Sequence, residues 1–189
     1  MKYWIITDLH LCHSMLISEK YRPENYEYQI FDNIEKKLSS GDVLINIGDV
    51  SIYQNSDAHE MYNTFLMYKN VKSWLIRGNH DRKSYQWYLE HGWDFVADSI
   101  TINRYGLKIL LSHIPEKNFS QFDVNIHGHF HDSDHRTYEP EISSRVSIDH
   151  YYLVSLEKTG YTPLSLDFII KDFQKKKKMK KTKKDVILV

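Results

Sequence analysis

Four consecutive positions, Gly78-Asn79-His80-Asp81, set a glycine, an amide, an imidazole and a carboxylate directly behind the apolar run Val71 to Ile76. Four other apolar runs end in comparable groups: Asp8-Leu9-His10 after Tyr3 to Ile6, Gly48-Asp49 after Val43 to Ile47, Ser112-His113 after Leu107 to Leu111, and Gly128-His129-Phe130-His131 after Val124 to Ile126. Carboxylate, amide and imidazole donors without a thiolate suit divalent manganese, iron, zinc or nickel. Taken singly, D-x-H is a weak signal and G-D carries almost none. Five such groups, each closing an apolar run, place candidate metal ligands at five strand ends. In an extended D-x-H, residues two apart point to one side, so Asp8 and His10 can converge on one ion.

The elements that must carry these groups follow from periodicity. Tyr3 to Thr7, Val43 to Ile47 and Val71 to Ile76 are continuously apolar, as strands covered on both faces are. Between the first two, Ile30, Ile34 and Leu38 recur at helical spacing with Phe31 among them, and Gly41 closes that element. Between the second and third, Asp57 with Glu60 predicts a capping box, and Met61, Phe65 and Tyr68 an apolar stripe. Ser84 to His91 predicts a short helix ending at Gly92. This alternation argues for a parallel sheet with helices on its faces. The second half predicts short strands at Phe95 to Ala97, Ser99 to Asn103, Leu107 to Leu111, Val124 to Ile126 and Leu153 to Leu156, with a hairpin loop at Asn103-Arg104-Tyr105-Gly106.

Length and composition bound the rest. A chain of 189 residues, 41% hydrophobic and 26% charged, suits one globular domain. Its formal net charge of zero conceals an asymmetry: residues 1–174 hold 17 basic and 24 acidic side chains, and eight lysines crowd into Lys175 to Lys184. That run has no apolar face and repels itself, which predicts a lysine-rich, disordered tail over 173–189 behind a folded domain over 1–172. The single cysteine, Cys12, excludes an intrachain disulfide framework and fits a reducing compartment. The apolar start is too short for a signal peptide, and no run reaches the roughly 20 apolar residues of a membrane span. A cytoplasmic location, in a bacterial or phage-infected host cell, is the expectation.

The ordered set D-x-H, G-D, G-N-H-D, lone H and G-H-x-H resembles the calcineurin-like metallophosphoesterases, especially compact single-domain bacterial and phage members, from about Lys2 to Ile170. The resemblance implies a four-layer α/β/β/α sandwich and two divalent ions, manganese by family habit. It places Asp8, His10 and His131 on the first ion, Asn79, His113 and His129 on the second, and Asp49 bridging both. It implies hydrolysis of a small phosphodiester, a nucleotide or cyclic nucleotide, by a metal-bridging hydroxide. His80 would bind the phosphoryl group and help protonate the leaving oxygen, with Asp81 orienting its ring.

His13 and Arg77 are candidate substrate contacts, although Arg77 could equally pair with a carboxylate. Family members usually carry glycine where Cys12 stands, so the backbone there is expected to differ. His127 is a candidate support for the second ion, while His59, His91, His135 and His150 read as structural. Tyr21, Tyr26, Tyr53, Trp87 and Trp93 could stack on a base, and more often such residues are half-buried surface. The alternatives are a nuclease holding single-stranded nucleic acid with its lysine tail, through at most a weak contact, and a non-catalytic binding module that retains the fold. Composition leaves the oligomeric state open.

Overall fold

The computed structural model describes residues 1–52, 55–132 and 150–187, except the side chains of Phe119 and of residues 180–187. The elements run β1 (Tyr3–Ile6), α1 (Ser14–Ser18), α2 (Tyr26–Lys37), β2 (Val43–Asn46), α3 (Ser56–Tyr68), β3 (Lys72–Ile76), α4 (Tyr85–Glu90), β4 (Phe95–Ala97), β5 (Ser99–Arg104), β6 (Leu107–Ser112), β7 (Val124–His127), β8 (Tyr151–Leu153), α5 (Leu156–Thr159), β9 (Leu164–Ser165) and α6 (Leu166–Ile187).

The strands form two sheets. The first has the order β4-β3-β2-β1-β9, parallel except for β9, and the second has the order β5-β6-β7-β8. In the second only the β5–β6 pair is antiparallel. Period-2 alternation divides the apolar residues of β1 and β2 between two cores. Ile5, Val43 and Ile45 join Ile109, Leu111, Val124 and Ile126 of the other sheet, while Ile6 and Leu44 pack with Ile30, Ile34, Tyr62 and Leu66 of the helices. Full burial of each such aliphatic side chain is worth about 1.5–3 kcal/mol, which is what holds two sheets together with helices at their flanks. The expected sandwich of two sheets flanked by helices is therefore present.

Several local expectations shift. Asn55, not Asp57, caps α3, its side chain accepting from the Ala58 N–H at 3.3 Å. The buried face of α3 runs through Ala58, His59, Tyr62, Asn63 and Leu66, leaving Met61 and Tyr68 exposed, because Tyr62 and Leu66 are the residues that meet α2 and Trp93. The last strand of the second sheet ends at Leu153, and Leu156 already starts α5 under a Ser155 cap.

The chain end differs most. A boundary at 172 falls inside α6, which runs unbroken to Ile187, and Phe173 is 1% exposed in the inter-sheet core. Leu166, Ile169, Ile170 and Phe173 anchor the first two turns, and lysine, a good helix former, extends a helix that packing has already nucleated. The residues between Asp132 and His150 lie outside the described part of the chain.

Candidate metal centre

All five groups sit past the carboxyl ends of β1, β2, β3, β6 and β7. Parallel strands deliver their C-terminal loops to one edge, which is where ligands of open α/β sheets collect. The backbone there is not extended. Asp8, His10, Asp49, His129 and His131 have φ of 52°, 47°, 57°, 72° and 50°, the left-handed region that costs an ordinary side chain about 1 kcal/mol or more. The convergence of Asp8 and His10 thus comes from left-handed residues on either side of Leu9 and not from strand alternation. Cys12 has φ 62°, so it takes the conformation that glycine would favour at that position.

Close approach explains two of the glycines. A Cβ on Gly78 would run into Asp49 Oδ1, and one on Gly128 would meet Thr7 Oγ1 and come within 2.5 Å of Asp8 Oδ2.

Two sets of ligand atoms result, each with its atoms within 4.8 Å of one another: Asp8, His10 and His131, and Asp49, His113 and His129. In the second set His113 Nδ1 donates to Ile47 O at 2.8 Å, leaving Nε2 to face Asn79 Oδ1 at 3.0 Å, Asp49 Oδ2 at 3.2 Å and His129 Nδ1 at 3.2 Å. In the first, Asp8 Oδ2 accepts from the His129 N–H at 3.0 Å, while Oδ1 is buried without a hydrogen-bond partner and lies 3.4 Å from His131 Nε2 and 3.9 Å from His10 Nε2. Acceptors converging on one point, with an orphaned buried carboxylate oxygen among them, fit divalent cations. The seven ligands expected from the motifs are thus brought together. Asp49 belongs geometrically to the second set, with its other oxygen, Oδ1, accepting from the His80 N–H at 2.9 Å.

The local electrostatics point the same way. Burial disfavours charge on His113, yet the hydrogen bond it can donate to Asp49 and the charges of Asp8 and Asp49 outweigh it and push the imidazole up to about 9. Burial likewise raises the Asp8 carboxyl, and the His113 and His131 rings more than reverse it, leaving it below the ordinary value. At His10 burial outweighs the opposing charges of Asp8 and Asp49 and drives the imidazole down to about 3.

The remaining candidates separate. The His80 side chain is 41% exposed, its Nε2 4.0 Å from Asp49 Oδ2 and its ring 5.6 Å from that of His10, at the lip of the centre. The His13 ring lies 6.1 Å from that of His10, and its buried Nδ1 has no partner. Asp81 does not orient the His80 ring: its Oδ2 accepts from the N–H groups of Asp49 at 2.7 Å and Gly78 at 2.9 Å, so it shapes the two loops instead. Burial, then repulsion by Asp49, raises its carboxyl to about 6. Arg77 grips Asp98 Oδ1 through Nε at 2.8 Å and Nη2 at 2.6 Å and donates to Lys83 O, which takes the carboxylate reading over the phosphate one. His127 turns its Nδ1 to Gly128 O and packs on Phe130 and Tyr151. Of the aromatics, Tyr26 and Trp93 are buried and Tyr21 is exposed, while Tyr53 and His135 lie outside the described residues.

Two participants left no motif. Arg22 donates to Leu9 O and Asp8 O, both at 2.8 Å, and pairs with Glu157 at 2.7 Å, while Glu157 Oε1 also lies 3.2 Å from His131 Nδ1. Their only sequence cues are an arginine before Pro23 and an acidic residue in the first turn of α5.

A family model for calcineurin-like phosphoesterases matches residues 1–188. Uncharacterized protein MJ1445 of Methanocaldococcus jannaschii is 30% identical over 185 residues, 93% of each chain. A protein of unknown function from Aquifex aeolicus, AQ665, superposes with a TM-score of 0.70 at 23% identity, over 90% of this chain and 98% of its own, a likeness of fold. An archaeal phosphodiesterase superposes at a TM-score of 0.44 and 18% identity over 70% of this chain and 74% of its own, too loosely to bear on function.

Proposed function

The chain belongs to the calcineurin-like phosphoesterase family, and we propose that within it the protein is a two-metal phosphodiesterase acting on a small nucleotide or cyclic nucleotide. The observation that supports the reading is the pair of adjacent candidate ligand sets, with Asn79 Oδ1 beside the second and His80 exposed at their lip. Asp8, His10 and His131 would hold one ion, and Asn79, His113 and His129 the other, with Asp49 as the carboxylate they share. Two divalent ions bound there, manganese in the first instance, would supply an acidified water and neutralise charge on phosphoryl oxygens.

The protein's own residues do the rest. Asp81 holds the Asp49 and Gly78 amides and so fixes the loop on which Asp49 sits. The tie from the His80 N–H to Asp49 Oδ1 fixes the backbone of His80, leaving its ring to swing over the centre. There the imidazole can hydrogen-bond a phosphoryl oxygen and hand a proton to the departing alkoxide, the poor leaving group of a diester. His13, on the same side, can meet the remainder of the substrate.

A second reading, contact with single-stranded nucleic acid, is favoured by Lys175, Lys176, Lys177 and Lys178, exposed on α6. One screen tests both: hydrolysis of cyclic mononucleotides, dinucleotides and short oligonucleotides with manganese, by the wild type, His80→Ala and a chain lacking 175–189. We expect His80→Ala to lose about 10²–10⁴-fold in turnover with two ions still bound, and the truncated chain to keep its activity on small diesters. Full turnover by His80→Ala overturns the leaving-group role. Oligonucleotide cleavage that collapses on truncation favours the second reading.

A further inference from the structure

The Nδ1 atom of His131 faces two neighbours that demand opposite tautomers. Glu157 Oε1, at 3.2 Å, can only accept a proton, whereas Arg22 Nη2, at 3.4 Å, can only donate one. Counting hydrogens resolves the conflict. A guanidinium Nη2 carries two, and here one goes to Asp8 O at 2.8 Å and the other to Glu157 Oε1 at 2.7 Å. Arginine keeps its charge in proteins and has no acceptor, so no donor is left for His131 Nδ1, which must itself bear the hydrogen and donate to Glu157.

The consequence reaches the far side of the ring. With Nδ1 protonated, the neutral imidazole presents a bare Nε2 lone pair to the partnerless Asp8 Oδ1 at 3.4 Å. Two lone pairs facing each other in a buried site repel unless a cation stands near both. Glu157 is itself immobilised: Arg22 Nε adds a third contact to Oε1 at 3.0 Å, and Ser155 Oγ donates to Oε2 at 3.0 Å. Arg22 is buried, its side chain 1% exposed, and its Nη1 and Nη2 hold Leu9 O and Asp8 O, on either side of the left-handed turn that aims Asp8 and His10.

We propose that Glu157 is a positioning residue for the first ion. Clamped by Arg22, its carboxylate takes the Nδ1 hydrogen of His131 and thereby commits Nε2 to the cation shared with Asp8 and His10. This rests on the two-metal reading above. The same Arg22–Glu157 pair ties the closing segment of the chain to the first motif, so one ion pair registers the two ligand-bearing loops that build this half of the centre. Outer partners of this kind commonly govern metal affinity by 10–100-fold.

The test uses the full chain, stripped of metal and titrated with manganese by calorimetry. Wild type should take two ions, and Glu157→Gln should bind one of them 10–100-fold more weakly with the other unchanged. An amide in place of the carboxylate can donate to Nδ1 and so permits the wrong tautomer. A purely structural role for Glu157 would instead weaken both ions together with thermal stability, and that result overturns the proposal. Two ions at wild-type strength in Glu157→Gln overturn it alone, whereas a wild type that takes fewer than two overturns the metal reading as well.

Because an unpaired Arg22 could prevent the variant from folding, the wild type supplies an independent measurement. In the zinc-loaded protein, side-chain ¹⁵N spectra should show His131, identified by its loss in His131→Ala, with a slowly exchanging Nδ1 hydrogen and a ligated Nε2. Ligation through Nδ1 refutes the assignment.

Discussion

In two regions of this molecule two buried histidines, His113 at the candidate metal centre and His59 on α3, meet opposite surroundings. At the metal centre His113 is surrounded by carboxylates and pushed up to about 9, ready for positive charge. Behind it, on α3, His59 sits among Trp87, Tyr88 and Trp93 with neutral partners only: Nδ1 accepts from Trp93 Nε1 at 3.2 Å, and Nε2 lies 3.4 Å from Ser51 Oγ. Burial, then the His91 charge, drives it down to about 4. Burial alone therefore does not mark a functional histidine. What separates the two is the charge of the groups that face them, carboxylates at His113 and neutral hydrogen-bond partners at His59.

The contrast can be broken first at Asp49. Asp49→Ala removes the carboxylate that His113 answers to, and the loss of several kcal/mol of charge stabilisation should cost on the order of 10³-fold in hydrolysis. Ion content should fall below two while the circular dichroism spectrum stays as in the wild type. Undiminished activity would mean that Asp49 is a bystander.

His59→Ala should invert that pattern. Opening a cavity in the aromatic cluster and orphaning the Trp93 N–H is worth about 2–4 kcal/mol of stability. Denaturant unfolding followed by tryptophan fluorescence measures it, and hydrolysis below the unfolding range should stay within about two-fold of wild type. A variant as stable as wild type but inactive would place His59 in the chemistry.

The smallest effect is in the pH dependence of the metal-free protein. A histidine held at about 4 in the fold and at 6.5 when unfolded binds its proton more readily in the unfolded chain. Its contribution is therefore intact above pH 6.5 and is lost as pH falls toward 4, about 2 kcal/mol between pH 7 and 4.5. His59→Gln, which cannot titrate, should lose that much less than wild type over the same interval. Parallel stability curves for the two proteins would contradict the assignment of a neutral, caged His59.

The second region shows where reading the chain runs out. Asp8, His10, Asp49, Asn79, His113, His129 and His131 were legible because each follows an apolar run, and strand ends are visible as local pattern. The buried face of α3 was not, since Met61 and Tyr68 continue the same apolar spacing as Leu66 and only contact with α2 and Trp93 separates them. Arg77 and Asp81 illustrate the same limit from inside a motif. Their neighbours in sequence suggested phosphate and His80, whereas Asp98 and the Asp49 amide, 21 and 32 residues away, are what they bind. At the lysine run the limit has a different cause: self-repulsion is local, and the packing of Phe173 that seeds the helix before it is not.

Donor chemistry belongs to the side chains themselves, so the amino-acid order already contained the donor types and the strands that end in them. Which nitrogen of His131 points at the cation, and what holds the loop of Asp8, depend on Arg22 and Glu157, separated by 135 residues. A hydrogen bond is set by distance and direction in space. No spacing along a chain encodes it until the sheets have brought the two ends together.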